Sequence, residues 1–191
     1  KRRIMAFYKG CVQRHLYVHG PEKRFLSKNP VFSSKLKALN ETFPDCKVIC
    51  SVRRPYEAAP SMISLFTYEW EQLDNDQRGY EFRDTLLEIM GHFYRHPIAC
   101  LPAWPENRHL FVQYGLLTQS PMQTVRDIYA RFGFSLIPEY EEQLRTEEEK
   151  AARFESRHRY SLEQYDLTPE QIADEFEDVF AYFDFSTDYG N

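Results

Sequence analysis

Apolar side chains recur at the spacing of an amphipathic helix in several stretches of the chain. Gly20-Pro21 ends the first of these stretches, and Thr168 followed by Pro169 is a start signal for the last. The helical stripes are Ile4, Tyr8, Cys11, Val12, His15 and Leu16; Leu36 and Leu39; Phe82, Leu86, Ile89, Met90 and Phe93; Met122, Val125, Ile128, Tyr129 and Phe132; Ile172, Phe176, Val179, Phe180 and Phe183. Further helices are predicted from Pro55 to about Gln72 and, at the acidic surface, over 139–155.

Three short apolar stretches lack helical spacing and are predicted to be strands. They are "RFLSK" (24–28), "KVICSV" (47–52) and "HLFVQY" (109–114). The second stretch has no polar alternation, a pattern typical of a strand that is buried on both faces of a parallel sheet. Since a brief helix separates the first two stretches, residues 24–52 are predicted to form a βαβ unit. The pattern as a whole predicts an α/β fold with a parallel sheet flanked by helices.

Length and composition indicate one domain over residues 1–191. With 42% apolar and 16% aromatic residues, the chain can bury one sizeable core. The net charge of −5 and the pI near 5.7 argue against a general nucleic-acid binder, so any binding site for an anion has to be local. The sequence gives no indication of an oligomeric state.

Cysteine usage and hydropathy predict a cytoplasmic protein. The four cysteines have no CxxC spacing, which favours reduced thiols over a disulfide framework. No apolar run is long enough to span a bilayer, and no signal peptide is visible.

Polar residues with useful chemistry stand at the ends of the three predicted strands. Lys28 ends the first strand, Arg53 follows the second, and Tyr114 ends the third. Ligands of open α/β sheets bind outside the carboxyl ends of the strands, so these side chains are predicted to share one site. A guanidinium grips phosphate bidentately, and Ser61, two turns into the next helix, offers a hydroxyl to the same anion. The alternative is that these groups are ordinary solvated surface residues.

A family pattern adds to this interpretation. The segment "VRRPYEAAPS" resembles the 3′-phosphate-binding segment of sulfotransferases, in which a serine lies eight positions after an arginine. "RFLSKNPVFSSKLKALNETFPDCKVICSVRRP" is similar to the lysine-small-proline segment of bacterial members and the strand that follows it. "LFVQYGLLTQSPMQTVRDIYARFGF" and "RHRYSLEQYDLTPEQI" resemble two later segments of the family, in the same order. The resemblance covers most of residues 24–183 and implies a P-loop-like fold.

The resemblance also implies a donor and its binding residues. Arg53 and Ser61 would hold the 3′-phosphate of 3′-phosphoadenosine 5′-phosphosulfate, and of the product adenosine 3′,5′-bisphosphate, while Tyr114 would contact the adenine. Lys28 matches the catalytic lysine that faces the transferring sulfuryl group, where it would neutralise charge on the leaving oxygen. Arg157 and Arg159 lie in a segment that closes over the phosphate in relatives, and which of the two faces inward stays open. The acceptor would be a small molecule, a lipid or a carbohydrate with a hydroxyl or amine.

Three features depart from the family pattern. Pro30 and Phe32 stand where relatives often carry histidine, so no general base is assigned, and Gly115 replaces a usual acidic residue. The glycine-rich loop that binds the 5′-phosphosulfate is not present before the first helix. We expect this N-terminal part of the domain to lie upstream of Lys1; otherwise the chain does not bind the donor fully.

Two other classes of function remain open at this stage. Nucleoside and sugar kinases share the phosphate-binding α/β architecture, but they hold Mg²⁺ with a carboxylate near a strand end. Here two arginines, Arg53 and Arg54, occupy that position, and no metal-ligand set is apparent. This pattern favours metal-independent sulfuryl transfer over phosphoryl transfer. The third class is a non-catalytic α/β module that binds a partner through its acidic helix.

Overall fold

A computed structural model describes residues 2–73, 82–153 and 160–190 of the chain. The helices are α1 (Arg2–His19), α2 (Leu36–Thr42), α3 (Pro55–Gln72), α4 (Arg83–Cys100), α5 (Tyr114–Gln119), α6 (Pro121–Phe132), α7 (Pro138–Ala152), α8 (Pro169–Glu175) and α9 (Glu177–Phe183). The strands are β1 (Val48–Val52) and β2 (His109–Gln113). None of the described helices combines the length and the apolar character that crossing a bilayer requires.

β1 and β2 pair in parallel, with Val48 opposite His109 and Val52 opposite Gln113. Parallel neighbours need a long crossover connection, and here α3 and α4 supply it. The predicted parallel sheet flanked by helices is therefore confirmed. The register also aligns the carboxyl ends of the two strands, so the residues that follow them start from the same edge of the sheet.

The strand predicted at 24–28 is wrong. This segment is irregular, and Leu26 within it is 87% exposed. Side-chain packing holds it instead: the Arg24 guanidinium lies 3.6 Å from the centre of the Phe134 ring, and the rings of Phe25 and His15 are 5.2 Å apart. A strand requires backbone pairing, and neither β1 nor β2 pairs with this segment. The predicted βαβ unit is therefore replaced by the crossover from β1 through α3 and α4 to β2.

The main core lies on one face of the sheet, beneath α3, α4, α8 and α9. Its fully buried side chains include Ile63, Leu162, Ile172, Phe176 and Val179. The prediction that β1 is buried on both faces is wrong for the described part of the chain. Alternate residues Ile49 and Ser51 are exposed, whereas Cys50 and Val52 pack toward the core.

The C-terminal apolar stripe is confirmed as core, but it is carried by two short helices. Thr168 caps α8 as predicted, because its hydroxyl accepts from the backbone N–H of Gln171 and its own N–H donates to the Gln171 side chain. The helix breaks at Phe176, whose ring is fully buried and 6.1 Å from the Tyr94 ring. The break places the apolar sides of both α8 and α9 on the core.

Two helices, α3 and α4, continue through an internal proline. α4 continues through Pro97 to Cys100, beyond the predicted apolar stripe that ends at Phe93, and α3 continues through Pro60. A proline inside a helix removes one backbone hydrogen bond. Pro60 and Pro97 are both fully buried, so their packing offsets that loss.

Candidate functional site

The junction between β1 and α3 positions the two arginines. Val52 is buried at the end of the strand, and Pro55 begins the helix with the backbone angle that a first turn requires. The carbonyl of Arg54 accepts from the N–H groups of Glu57 and Ala58, both at 3.0 Å, so Arg54 closes the first turn. Arg54 is therefore the residue directly before α3, and Arg53 lies one position earlier, near the positive dipole end of the helix.

Arg53 and Tyr114 are brought together, as predicted from the strand ends. The pairing of Val52 with Gln113 places the next residue of each strand side by side. The Arg53 guanidinium lies 4.8 Å from the centre of the Tyr114 ring, within cation–π range. One detail differs from the prediction, since Tyr114 begins α5 and does not end the strand.

Two further contacts hold Arg53. Its Nε donates to Oε2 of Glu57 at 2.7 Å, and its backbone carbonyl accepts a hydrogen bond from the Tyr94 hydroxyl. Tyr94 is buried, and this burial raises the pKa of its hydroxyl well above the ordinary value, so Tyr94 remains a donor. Within the described residues, neither Nη atom of Arg53 donates a hydrogen bond. Arg53 is thus held through its backbone carbonyl, its Nε and its cation–π contact with Tyr114, while its Nη atoms donate to none of the described residues.

Arg54 lies in different surroundings. Its Nη1 donates to the backbone carbonyl of Asp188 at 3.3 Å, and its guanidinium is 5.6 Å from the Tyr56 ring. The Tyr56 hydroxyl donates to the carbonyl of Thr187 at 2.8 Å. Arg54 therefore ties the C-terminal segment to the start of α3, although its Nε also lies 3.6 Å from Glu57.

Ser61 lies on α3, one helical turn beyond Glu57 and on the same face. Its side chain is half-buried, and its hydroxyl makes no hydrogen bond to the described part of the chain. The face of α3 that carries Glu57 therefore also presents a hydroxyl that has no hydrogen bond to the described residues.

The structure does not join Lys28 to this group. Lys28 is exposed in the irregular segment before the first 3₁₀ helix (Pro30–Lys35), so the prediction that it ends a strand is wrong. The next residue, Asn29, caps that helix by accepting from the N–H of Val31 at 3.1 Å. Arg157 and Arg159 lie outside the described residues.

Sequence reasoning missed Glu57 and Tyr94. Glu57 follows Arg53 at the i, i+4 spacing of a helical ion pair, and that spacing would have identified it. Tyr94 carried no comparable signal, because it reaches the Arg53 carbonyl from α4, 41 positions along the chain. Within the described residues, no three side chains of the His, Cys, Asp or Glu type are grouped to hold a metal ion.

The chain belongs to the sulfotransferase family, whose model matches residues 3–139. Two crystal structures of mycobacterial sulfotransferases are similar to it and confirm the P-loop-like α/β fold. Sulfotransferase STF9 from Mycobacterium avium has 25% identity and a TM-score of 0.69, over 83% of this chain and 41% of that one. Sulfotransferase STF1 from Mycobacterium tuberculosis H37Rv has 28% identity and a TM-score of 0.62, over 82% of this chain and 40% of that one.

This chain therefore spans about two fifths of the length of these two structures. The comparison with curated proteins gave no match.

Proposed function

We propose that the protein transfers a sulfuryl group from 3′-phosphoadenosine 5′-phosphosulfate to a hydroxyl or amine acceptor. The main support for this proposal is the way in which neighbouring groups hold the Arg53 side chain. Three contacts fix it at the start of α3, while the Nη edge donates to none of the described residues. Membership of the sulfotransferase family supports a nucleotide whose phosphate this edge binds.

The hydrogen-bond donors of this site match the chemistry of a 3′-phosphate. The planar Nη edge of Arg53 matches two phosphate oxygens, and Ser61 adds a neutral hydroxyl donor. The N-terminal end of α3 contributes a positive dipole end. In this proposal Tyr114 contacts the adenine, and Arg157 and Arg159 close over the phosphate.

The reaction needs positioning and charge stabilisation. An acceptor oxygen or nitrogen attacks sulfur and loses its proton, the bond from sulfur to the bridging oxygen breaks, and adenosine 3′,5′-bisphosphate leaves. We assign to Lys28 the neutralisation of the charge that develops on that oxygen. The capping of the next helix by Asn29 fixes the backbone beside Lys28. Residues 1–191 would belong to one domain of a cytoplasmic enzyme whose acceptor is a small molecule, a lipid or a carbohydrate.

Glu57, the acidic residue in the first turn of α3, does not favour a kinase. Glu57 Oε2 lies 2.7 Å from Arg53 Nε, and Oε1 lies 3.6 Å from Arg54 Nε. A cation beside Glu57 would face two guanidinium groups at close range, which is unfavourable for Mg²⁺. The positive charge of Arg53, by contrast, favours a phosphate.

The test is transfer of sulfur-35 label from the donor to a panel of phenols, alcohols, amines, glycolipids and oligosaccharides. We expect labelled product in the presence of EDTA and none when labelled ATP replaces the donor. Phosphorylation that requires ATP and Mg²⁺ would show that the protein is a kinase. Absence of transfer, combined with absence of donor binding, would support the non-catalytic alternative.

A further inference from the structure

Glu57 contacts the arginine that the proposed function assigns to the phosphate. It lies one turn after Arg53, and their side chains meet at 2.7 Å through Oε2 and Nε. Its second oxygen is 3.6 Å from Nε of Arg54. Glu57 is thus a carboxylate placed directly beside a predicted anion site, where an isolated negative charge would oppose binding.

Folding stability does not account for this placement. The side chains of Arg53 and Glu57 are each 40% exposed, and ion pairs at such positions are screened by solvent and contribute little to folding. The negative charge is also balanced locally, because Glu57 faces two arginines. The geometry at Arg53 offers a different explanation.

A guanidinium has three donor edges in one plane, and Glu57 occupies the one at Nε. The centre of the Tyr114 ring lies 4.8 Å from the carbon of the same guanidinium, in a cation–π contact. The ion pair and the ring contact together restrict the orientation of the guanidinium, and with it the direction of the Nη edge. Binding an anion there then costs less side-chain entropy than binding to a mobile arginine.

We propose that Glu57 is a positioning residue that holds Arg53 ready for a phosphate monoester at the ribose 3′ position. This inference rests on the proposed function and assigns Glu57 a part in donor selectivity. Its carboxylate acts through Arg53 and does not touch the nucleotide. If Glu57 mainly orients Arg53, its removal weakens binding of the 3′-phosphate. If its negative charge mainly repels the anion, its removal strengthens binding, so experiment can separate the two effects.

The probes are adenosine 3′-monophosphate and adenosine, because they isolate the 3′-phosphate from every contact to the 5′ side. Calorimetry measures both dissociation constants for the wild type and for Glu57→Ala. The ratio used below is the dissociation constant of adenosine divided by that of adenosine 3′-monophosphate, so a higher ratio means a stronger preference for the 3′-phosphate. Loss of one preorganised side chain predicts a ratio that is lower by about five- to tenfold. Glu57→Gln keeps an oxygen acceptor for Nε, so its ratio is expected within about threefold of the wild type.

Glu141→Ala is a matched control. Glu141 pairs with Arg126 at 3.0 Å, and the side chains of that pair are 40% and 37% exposed. Its removal eliminates a comparable ion pair and is expected to leave the ratio unchanged. Glu57→Asp supplies a second test in case Glu57→Ala does not fold, because it retains the charge but shortens the reach to Nε. The holding role predicts a lower ratio for Glu57→Asp than for Glu57→Gln.

Several outcomes would overturn the inference. If Glu57→Ala binds adenosine 3′-monophosphate more tightly than the wild type, or Glu57→Gln does so by more than about threefold, the carboxylate mainly repels the anion. An unchanged ratio in Glu57→Ala would show that Arg53 needs no holding. If the wild type itself does not prefer the 3′-phosphate, the proposed function fails and the inference fails with it. A wild-type preference that depends on Arg53 but not on Glu57 refutes the inference alone.

Discussion

Replacement of Arg53 by alanine is the perturbation with the clearest expected outcome. The variant loses the guanidinium that lies over Tyr114 and pairs with Glu57. It keeps the backbone carbonyl that accepts from Tyr94, so the turn before α3 should persist. The effect should therefore fall on binding of adenosine 3′,5′-bisphosphate and not on the fold.

The magnitudes follow from exposure and charge. The pair with Glu57 is 40% exposed on both sides, so its loss should cost folding at most about 1 kcal/mol, equivalent to about 2–4 °C in melting temperature. Removal of one partner of a charge-assisted contact to a bound phosphate costs about 2–4 kcal/mol. That loss corresponds to a dissociation constant weaker by about 30- to 700-fold.

Calorimetry with adenosine 3′,5′-bisphosphate and adenosine 5′-monophosphate measures the effect. The wild type should bind the bisphosphate much more tightly, and Arg53→Ala should reduce that preference. Arg54→Ala is the matched control, because the Arg54 guanidinium donates to Asp188 and lies beside Tyr56. Equal losses of affinity in the two alanine variants, or equal affinity of the wild type for both nucleotides, would show that Arg53 does not bind the 3′-phosphate.

Three further predictions concern catalysis, stability and thiol reactivity. Lys28→Ala should lower kcat by about a hundredfold while nucleotide affinity stays within a few fold, and near-wild-type turnover would refute its catalytic role. Tyr94→Phe leaves the Arg53 carbonyl without its hydrogen-bond donor, so the free energy of unfolding measured in urea should fall by about 1–3 kcal/mol. An unchanged urea concentration at the unfolding midpoint would contradict that contact. Burial raises the pKa of the Cys50 thiol to about 11, so at pH 8 iodoacetamide should modify the exposed Cys11 first, as mass spectrometry of the native protein can show.

The parts of the fold that sequence predicts well are those with strong local signals. Gly133 ends α6 in the left-handed conformation, and Thr168 with Pro169 and Gln171 begins α8, because these residues act on the backbone within a few positions. The apolar run of β1 and the proline after it likewise mark the start of α3 correctly. Short-range chemistry is sufficient for such boundaries.

The errors arise where a distant partner decides the outcome. Residues 24–28 have the composition of a strand, but contacts with Phe134 and His15 determine how the segment lies. Pro97 would end an isolated helix, yet burial keeps it inside α4. The break at Phe176 also reflects tertiary packing, which no local pattern reports.

The same distinction between local signals and distant partners applies to the candidate site. Arg53 and Tyr114 were predicted to meet because the carboxyl ends of parallel strands share an edge, and the structure confirms that they do. Lys28 was placed by a strand that the structure does not contain. The contacts that orient Arg53 come from Glu57 and Tyr94, and the second of these depends on the packing of α4 against the end of β1.

We propose above that Arg53 and Ser61 bind the 3′-phosphate of a sulfuryl-donor nucleotide. The decisive measurement is a crystal structure of the protein with adenosine 3′,5′-bisphosphate. We expect 3′-phosphate oxygens within hydrogen-bonding distance of both Nη atoms of Arg53 and of the Ser61 hydroxyl, with Glu57 still accepting from Nε. A nucleotide bound with its 3′-phosphate away from Arg53 would show that this assignment is wrong.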